Sequence, residues 1–305
     1  MSVEFPFKIM ATSESKLSEF VVENKNHIFS RVNKHGAVLL RGWTADATEF
    51  SKVANALGEF IHDMSCSAGP RVEVVPGVHT ANEAPPSEII PFHHEMAQCV
   101  SPPKYVLFYC DTPPVNGGAT PIIHSWRLAE ELKTSYPCVA EKIRKYQIRY
   151  VREFPPNTDM TSPLGKSWKA TLNVKTKEEA ENELSKQGFE WEWLSQDRLR
   201  TIGPVVPMFI QRNGKDILFT AAETVFLNGT CSGRPEKSFI HGDGTPLDLD
   251  VKEAFVSIGK FAFEHSVRVP WKQGDILIID NATVMHARDS FTPPRRILVS
   301  LVGRL

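Results

Sequence analysis

Residues 91–96 read Pro91-Phe92-His93-His94-Glu95-Met96. An imidazole and a carboxylate stand two positions apart. In an extended strand successive side chains alternate faces, so His93 and Glu95 point one way and His94 the other. One nitrogen and one oxygen ligand on a shared face are two thirds of a facial triad. The remaining third is expected from a distant histidine. His286 lies in Val284-Met285-His286-Ala287-Arg288, directly after an apolar strand-like run. Two histidines and one carboxylate on one side of a metal leave its other side open. That arrangement suits non-haem Fe(II) that must bind a co-substrate and dioxygen together. H-x-E by itself is common by chance. The zinc-protease pattern H-E-x-x-H is excluded, because His94-Glu95-Met96-Ala97-Gln98 ends in glutamine.

Outward from this stretch the chain reads as short strands between breakers. Ala84-Pro85-Pro86 precedes it and Ser101-Pro102-Pro103 follows it, then Tyr105 to Tyr109 reads as a buried strand. Asp111 to Gly118 is a turn-rich loop that ends in Gly117-Gly118-Ala119-Thr120, and a helix starts near Ser125 as its N-cap. Toward the N-terminus, residues 13–34 and 44–57 have helical apolar spacing and flank the strand Ala37 to Arg41. Toward the C-terminus, Asn213-Gly214 predicts a hairpin turn. Leu249 to His265 is the clearest helix, and its terminal His265 reads as a last-turn histidine rather than a ligand. Residues 152–203 are polar, with one helix from a Thr176/Glu179 capping box to Gly188. They are expected to form a lid or a surface insert. Trp168, Trp191 and Trp193 favour a packed lid, because bare surface rarely holds large aromatics. Many short strands with helices mostly at the ends predict a mainly β fold with flanking helices, a jelly roll or barrel.

Composition bounds the function. A chain of 305 residues, 41% hydrophobic and 23% charged, is ordinary globular protein. A formal net charge of −1 gives no pull toward nucleic acid or an anionic membrane. No apolar run approaches a membrane span, and Met1 to Met10 lack a signal-peptide pattern. Cys66, Cys99, Cys110, Cys138 and Cys231 are scattered without a CxxC, as free thiols in a reducing cytoplasm would be. Without a secretory signal, the acceptor patterns at Asn228 and Asn281 carry little weight.

An anionic co-substrate needs a fixed cation and a neutral donor. On the closing strand Arg296, Leu298 and Ser300 share one face, while Ile297, Val299 and Leu301 share the other. The aliphatic face is expected against the helices and the Arg296 face inside the barrel. A guanidinium there needs an anionic partner, either a structural carboxylate or a ligand. Thr120 is the candidate hydroxyl donor.

The ordered series Phe92-His93-His94-Glu95-Met96, Gly117-Gly118-Ala119-Thr120, Trp271 with Gly274-Asp275, Asp280-Asn281, His286-Ala287-Arg288 with Phe291, and Arg295-Arg296 resembles the taurine dioxygenase and clavaminate synthase-like family of Fe(II)- and 2-oxoglutarate-dependent oxygenases. Glutamate at position 95 brings it nearer the clavaminate synthase branch and argues against halogenating relatives, which leave that position to a halide. Gly36 to Gly42 resembles the family's early strand. The resemblance implies one oxygenase domain over residues 1–305 with the double-stranded β-helix (jelly-roll) fold, in which residues 1–70 give the N-terminal helices and first strand. It implies His93, Glu95 and His286 as iron ligands. Thr120 and Arg296 would hold the 2-oxoglutarate carboxylate, and Arg288 would be structural. A small organic substrate and dioxygen would be consumed through a ferryl oxidant, with release of succinate and CO2. Hydroxylation is the default outcome; desaturation and ring closure are variants. The alternative is a non-catalytic or differently metallated jelly roll that binds a small carboxylate. Ser300 departs from the pattern, since the two name-giving enzymes place an arginine there. Arg71, Asn82, Glu83 or a lid residue then remain to define the substrate.

Overall fold

Strands with apolar residues on both faces must be covered on both sides, and that requirement sets the architecture. The computed structural model describes residues 4–12, 15–61, 71–81, 84–159, 165–221 and 238–305. In chain order the N-terminal part holds β1 (Phe7–Met10), α1 (Leu17–Glu23), α2 (Lys25–His35), β2 (Ala37–Arg41) and α3 (Ala47–Leu57). Then come β3 (Glu73–Val75), β4 (Val78–Thr80), β5 (Ile90–His93), β6 (Pro103–Thr112), β7 (Asn116–Gly117), β8 (Thr120–His124), α4 (Ser125–Ser135) and α5 (Pro137–Tyr146). The middle of the chain gives β9 (Ile148–Phe154), α6 (Trp168–Leu172), α7 (Lys177–Lys186), β10 (Glu190–Trp193), β11 (Leu199–Ile202), β12 (Phe209–Arg212), β13 (Lys215–Leu218) and β14 (Phe239–His241). The last stretch is α8 (Leu249–His265), β15 (Val267–Val269), β16 (Ile276–Asp280), β17 (Val284–Arg288), β18 (Phe291–Thr292) and β19 (Arg296–Arg304).

Two sheets carry the fold. The larger has the order β1-β2-β16-β6-β19-β4-β3 and the smaller β15-β8-β17-β5. Between them lies an apolar interior that includes Leu39, Val106, Phe108, Ile122, Val284 and Val299. Helices α1 to α3 cover the outer face of the larger sheet through Leu17, Val32, Phe50 and Val53, packed on Val38, Leu107, Ile278 and Leu298. Helices α4, α5 and α8 cover the smaller sheet through Leu128, Ile143 and Phe255, packed on Ile123, Met285 and Ala287. This is the expected jelly roll with flanking helices. Gly36 ends α2 with φ 76°, and a Cβ there would come within 2.6 Å of the Val284 side chain. Only glycine allows both that turn and that approach.

Three expectations change. The faces of β19 are reversed. Ile297, Val299 and Leu301 point into the interior between the sheets, and Leu298 and Val302 meet the helices. Ser300 also lies on the helix side, where its hydroxyl donates to the Gly77 carbonyl at 2.8 Å. Both faces of this strand are buried, so alternation does not reveal which one is inside. A register shift against β6 between Arg296 and Ile297 further unhooks the arginine from the pleat. Ser125 is the first helical residue of α4 rather than its cap, which is His124. Cys99 is disulfide-bonded rather than an inert free thiol, whereas Cys110 and Cys138 are free. Cys66, Cys231, Asn82, Glu83 and the pattern at Asn228 lie outside the described residues.

The section 152–203 folds on its own small core. Strands β10, β11 and β9 form an antiparallel ladder that β14 extends. Phe154, Trp168, Leu184 and Leu199 are buried beneath it, with Trp191 and Trp193 packed alongside. The Thr176 capping box on α7 is present as read. Gln98, three residues beyond Glu95, shares a recess with Tyr150 and with Phe154, Leu184 and Phe189 of this section. Among the described residues no helix is long and apolar enough to cross a membrane.

Candidate metal centre

Strands β5 and β17 pair antiparallel, with His93 directly opposite His286. The ring centroids are 4.3 Å apart. The pleat turns His286 and Val284 inward and sends Met285 and Ala287 to the helices. Glu95 reaches the same point by another route than expected. β5 ends at His93, and residues 95–98 form a turn. Met96 takes φ 55°, a left-handed conformation rare for a residue with a Cβ. One ligand atom from each of His93, Glu95 and His286 lies within 4.8 Å of the others.

Neighbours fix each donor. The His93 Nδ1 is 2.8 Å from the Pro91 carbonyl, so Nδ1–H donates there and the Nε2 lone pair is left for a metal. Burial pushes His93 and His286 below the ordinary histidine range, and the neighbouring His93 adds to the effect on His286. Both rings are therefore neutral at physiological pH and could act as metal ligands. Phe108 meets the His286 ring edge-on at 5.0 Å and closes the interior side. His94 points away, as read. It is 1% exposed, spans Thr220 and Ser125, and packs on Phe219. Burial lowers its pKa to about 3.

Two residues support Glu95. Asn281 was visible only as part of a motif, without a role. It is fully buried at the end of β16, and its side chain accepts from Glu95 N at 2.8 Å while donating to Glu95 O at 3.0 Å and Pro103 O at 2.9 Å. The sequence signal was the polar pair Asp280-Asn281 that closes the aliphatic run Ile276 to Ile279. Arg71 lies against the carboxylate itself, its Nη2 2.9 Å and 3.0 Å from the two Glu95 oxygens.

The anion-site candidates divide. Thr120 is buried, and its Oγ1 accepts from Trp271 Nε1 at 3.1 Å, which leaves the hydroxyl proton available. Arg296 does not face the interior as expected. It is half-exposed and paired with Asp111 at 3.1 Å. Its neighbour Arg295 is the enclosed member of the pair. Arg295 donates from Nε to the Gly118 carbonyl at 3.0 Å and lies over Phe291. Burial, with repulsion from Arg288, pushes its pKa down to about 10. Among the described residues it has no carboxylate partner, and with Arg288, Arg296 and Phe291 it lines a cavity of ≈ 400 Å³. Arg288 serves the backbone, donating to the carbonyls of Ala84, Pro85 and Glu88.

A sequence profile described as the taurine catabolism dioxygenase TauD, TfdA family matches residues 8–302. A clavaminate synthase-like protein of Arabidopsis thaliana is 34% identical over 297 residues, covering 96% of this chain and 89% of its own. Among solved structures, an asparagine oxygenase in complex with Fe(II), 2S,3S-3-hydroxyasparagine and succinate has a TM-score of 0.59 at 13% identity, over 97% of this chain and 93% of that one. PvcB, an Fe, alpha-ketoglutarate dependent oxygenase from an isonitrile synthetic pathway, has a TM-score of 0.54 at 15% identity, over 97% and 85%. At such identities the structural likeness speaks to the fold.

Proposed function

We propose, from the premise that this chain belongs to the taurine catabolism dioxygenase TauD, TfdA family, that it is an Fe(II)- and 2-oxoglutarate-dependent oxygenase acting on a small organic molecule. The observation that carries the reading is the convergence of His93, Glu95 and His286 within 4.8 Å. Two neutral imidazoles and one carboxylate on one side fit ferrous iron with open positions. Iron held there with 2-oxoglutarate supplies an oxidant from dioxygen, with release of succinate and CO2.

The chain's own residues orient and enclose that chemistry. His93, Glu95 and His286 hold the metal, and Asn281 fixes the backbone from which Glu95 projects. Phe108 and Trp271 keep the interior dry, which strengthens every electrostatic contact inside. Thr120 and Arg295 receive the far carboxylate of 2-oxoglutarate, the threonine by its free hydroxyl proton and the arginine as a partly buried cation with no carboxylate partner among the described residues. Arg296 stays at the rim with Asp111. Placement of one substrate C–H bond then decides among hydroxylation, desaturation and ring closure.

The test is anaerobic addition of Fe(II) and 2-oxoglutarate, followed by air. A metal-to-ligand absorption band and then succinate are expected, both lost in Glu95→Ala. A parent with neither, indistinguishable from the variant, refutes the reading.

A further inference from the structure

Arg71 is bound to a metal-ligand carboxylate, yet its guanidinium is only half used. The side chain is 11% exposed, and a single nitrogen, Nη2, spans both Glu95 oxygens. Nη1 is buried and has no hydrogen-bond partner among the described residues. A guanidinium is a planar fork whose parallel N–H groups match the two oxygens of a carboxylate. A buried donor left unpaired is costly, so a cation held this way beside a reaction centre is a receptor waiting for an acceptor.

Charge at the centre points the same way, on the oxygenase reading given above. The ferrous ion brings two positive charges, and Arg71 and Arg295 bring one each. Glu95 returns one negative charge and 2-oxoglutarate two, while a histidine that binds a metal through a ring lone pair contributes none. On these groups alone the balance is positive, and Arg288 beside Arg295 adds to it. A negatively charged substrate reduces that excess, and a neutral or cationic substrate leaves or deepens it. We infer that Arg71 is a specificity-determining residue that binds a carboxylate of the substrate beside the metal, and that the substrate class is accordingly a small carboxylic acid. Glu95 keeps one side of the guanidinium fixed, so the free Nη1 edge is presented in one orientation.

The experiment uses the anaerobic Fe(II)–2-oxoglutarate complex of the full chain. Its absorption band is titrated with matched pairs of probes. These are L-amino acids against their C-terminal amides, and straight-chain monocarboxylic acids against their primary amides. The two series separate an amino-acid source of the carboxylate from a plain organic acid. In the parent, the best carboxylates should shift the band at concentrations at least tenfold below their amides. In Arg71→Gln that ratio should collapse toward one, and in Arg71→Lys it should be intermediate. The readout is a ratio within each protein, so a general loss of affinity does not imitate it. Parent protein that responds to no carboxylate, or equally to the amides, overturns the inference, as does Arg71→Gln with the parental ratio. Absence of the band itself refutes the oxygenase reading instead, which keeps the two failures apart.

Discussion

His93 and His286 are register partners across β5 and β17, with ring centroids 4.3 Å apart and planes inclined by 52°. Main-chain pairing therefore sets the distance between the two imidazoles, and side-chain flexibility has little part in it. Removing either ring would remove a proposed ligand and leave the main-chain ladder in place. For His93→Ala and His286→Ala we expect Mn(II) affinity to fall by more than the roughly 10–100-fold typical of losing a ligand's supporting contact. Succinate formation should drop to background. In the parent, Mn(II) at about 100 times its Kd should add about 2.7 kcal/mol of stability. Thermal melts with and without Mn(II) measure this directly, and both variants should lose the increment.

Asn281 holds Glu95 without touching a metal. In Asn281→Ala the amide of Glu95 and the carbonyls of Glu95 and Pro103 lose their side-chain partner. At about 1–3 kcal/mol for each buried polar group left unsatisfied, a loss of about 2–5 kcal/mol is expected in urea unfolding, water taking up part of the loss. Metal affinity should weaken by roughly 10–100-fold. Asn281→Asp should fare no better, because a carboxylate oxygen would face two carbonyls. Parental metal affinity in either variant would separate Asn281 from the centre.

The two neighbouring arginines should behave differently toward 2-oxoglutarate. Arg295 has no carboxylate partner among the described residues, so Arg295→Ala should raise the KM for 2-oxoglutarate by about 10–100-fold, the value of a charge-assisted contact of about 1.5–3 kcal/mol. Arg296 is a half-exposed ion-pair member. Exposed pairs contribute about 0.2–1 kcal/mol, so Arg296→Ala should change the same KM by no more than about 5-fold. The reverse order in steady-state kinetics would return the anchoring role to Arg296.

His124 makes stability depend on pH. Burial, aided by Lys215 and Arg127, lowers its pKa from 6.5 to about 4. It stacks on Phe5 at 4.0 Å. A histidine held neutral in the fold but free to charge in the unfolded chain gives the unfolded state more protons below pH 6.5. Its contribution is thus fully present above the unfolded pKa and is lost as pH falls toward about 4. The slope from this group is about 1.4 kcal/mol per pH unit. Urea midpoints of metal-free protein between pH 7 and pH 5 should show it, and His124→Phe should flatten the curve by that amount.

The sequence displayed the centre more openly than its surroundings. Donor chemistry at His93, Glu95 and His286 is read from residue type alone, and the chain order of motifs supplied the rest. The route by which Glu95 converges was not readable. Pleat alternation predicts a strand through residue 95, whereas the chain turns at Met96 and relies on Asn281, a contact made across 186 residues. The inside of β19 was misassigned because Ile297 and Leu298 are equally apolar, and both faces of that strand are buried. The sequence pattern does not announce helix α5 or the ladder of β9 and β11. Strands such as Ile148 to Phe154 mix Arg, Tyr and Glu with Val, and their burial comes from a local core that pattern alone does not announce. The tryptophans of that section did signal the core.

The pairing of β5 with β17 also has a temporal consequence. A polypeptide emerging from a ribosome exposes His93 and Glu95 long before His286 has been made. Until β17 is synthesised and zipped against β5, stray ferrous ions meet an incomplete set of donors and find no secure seat.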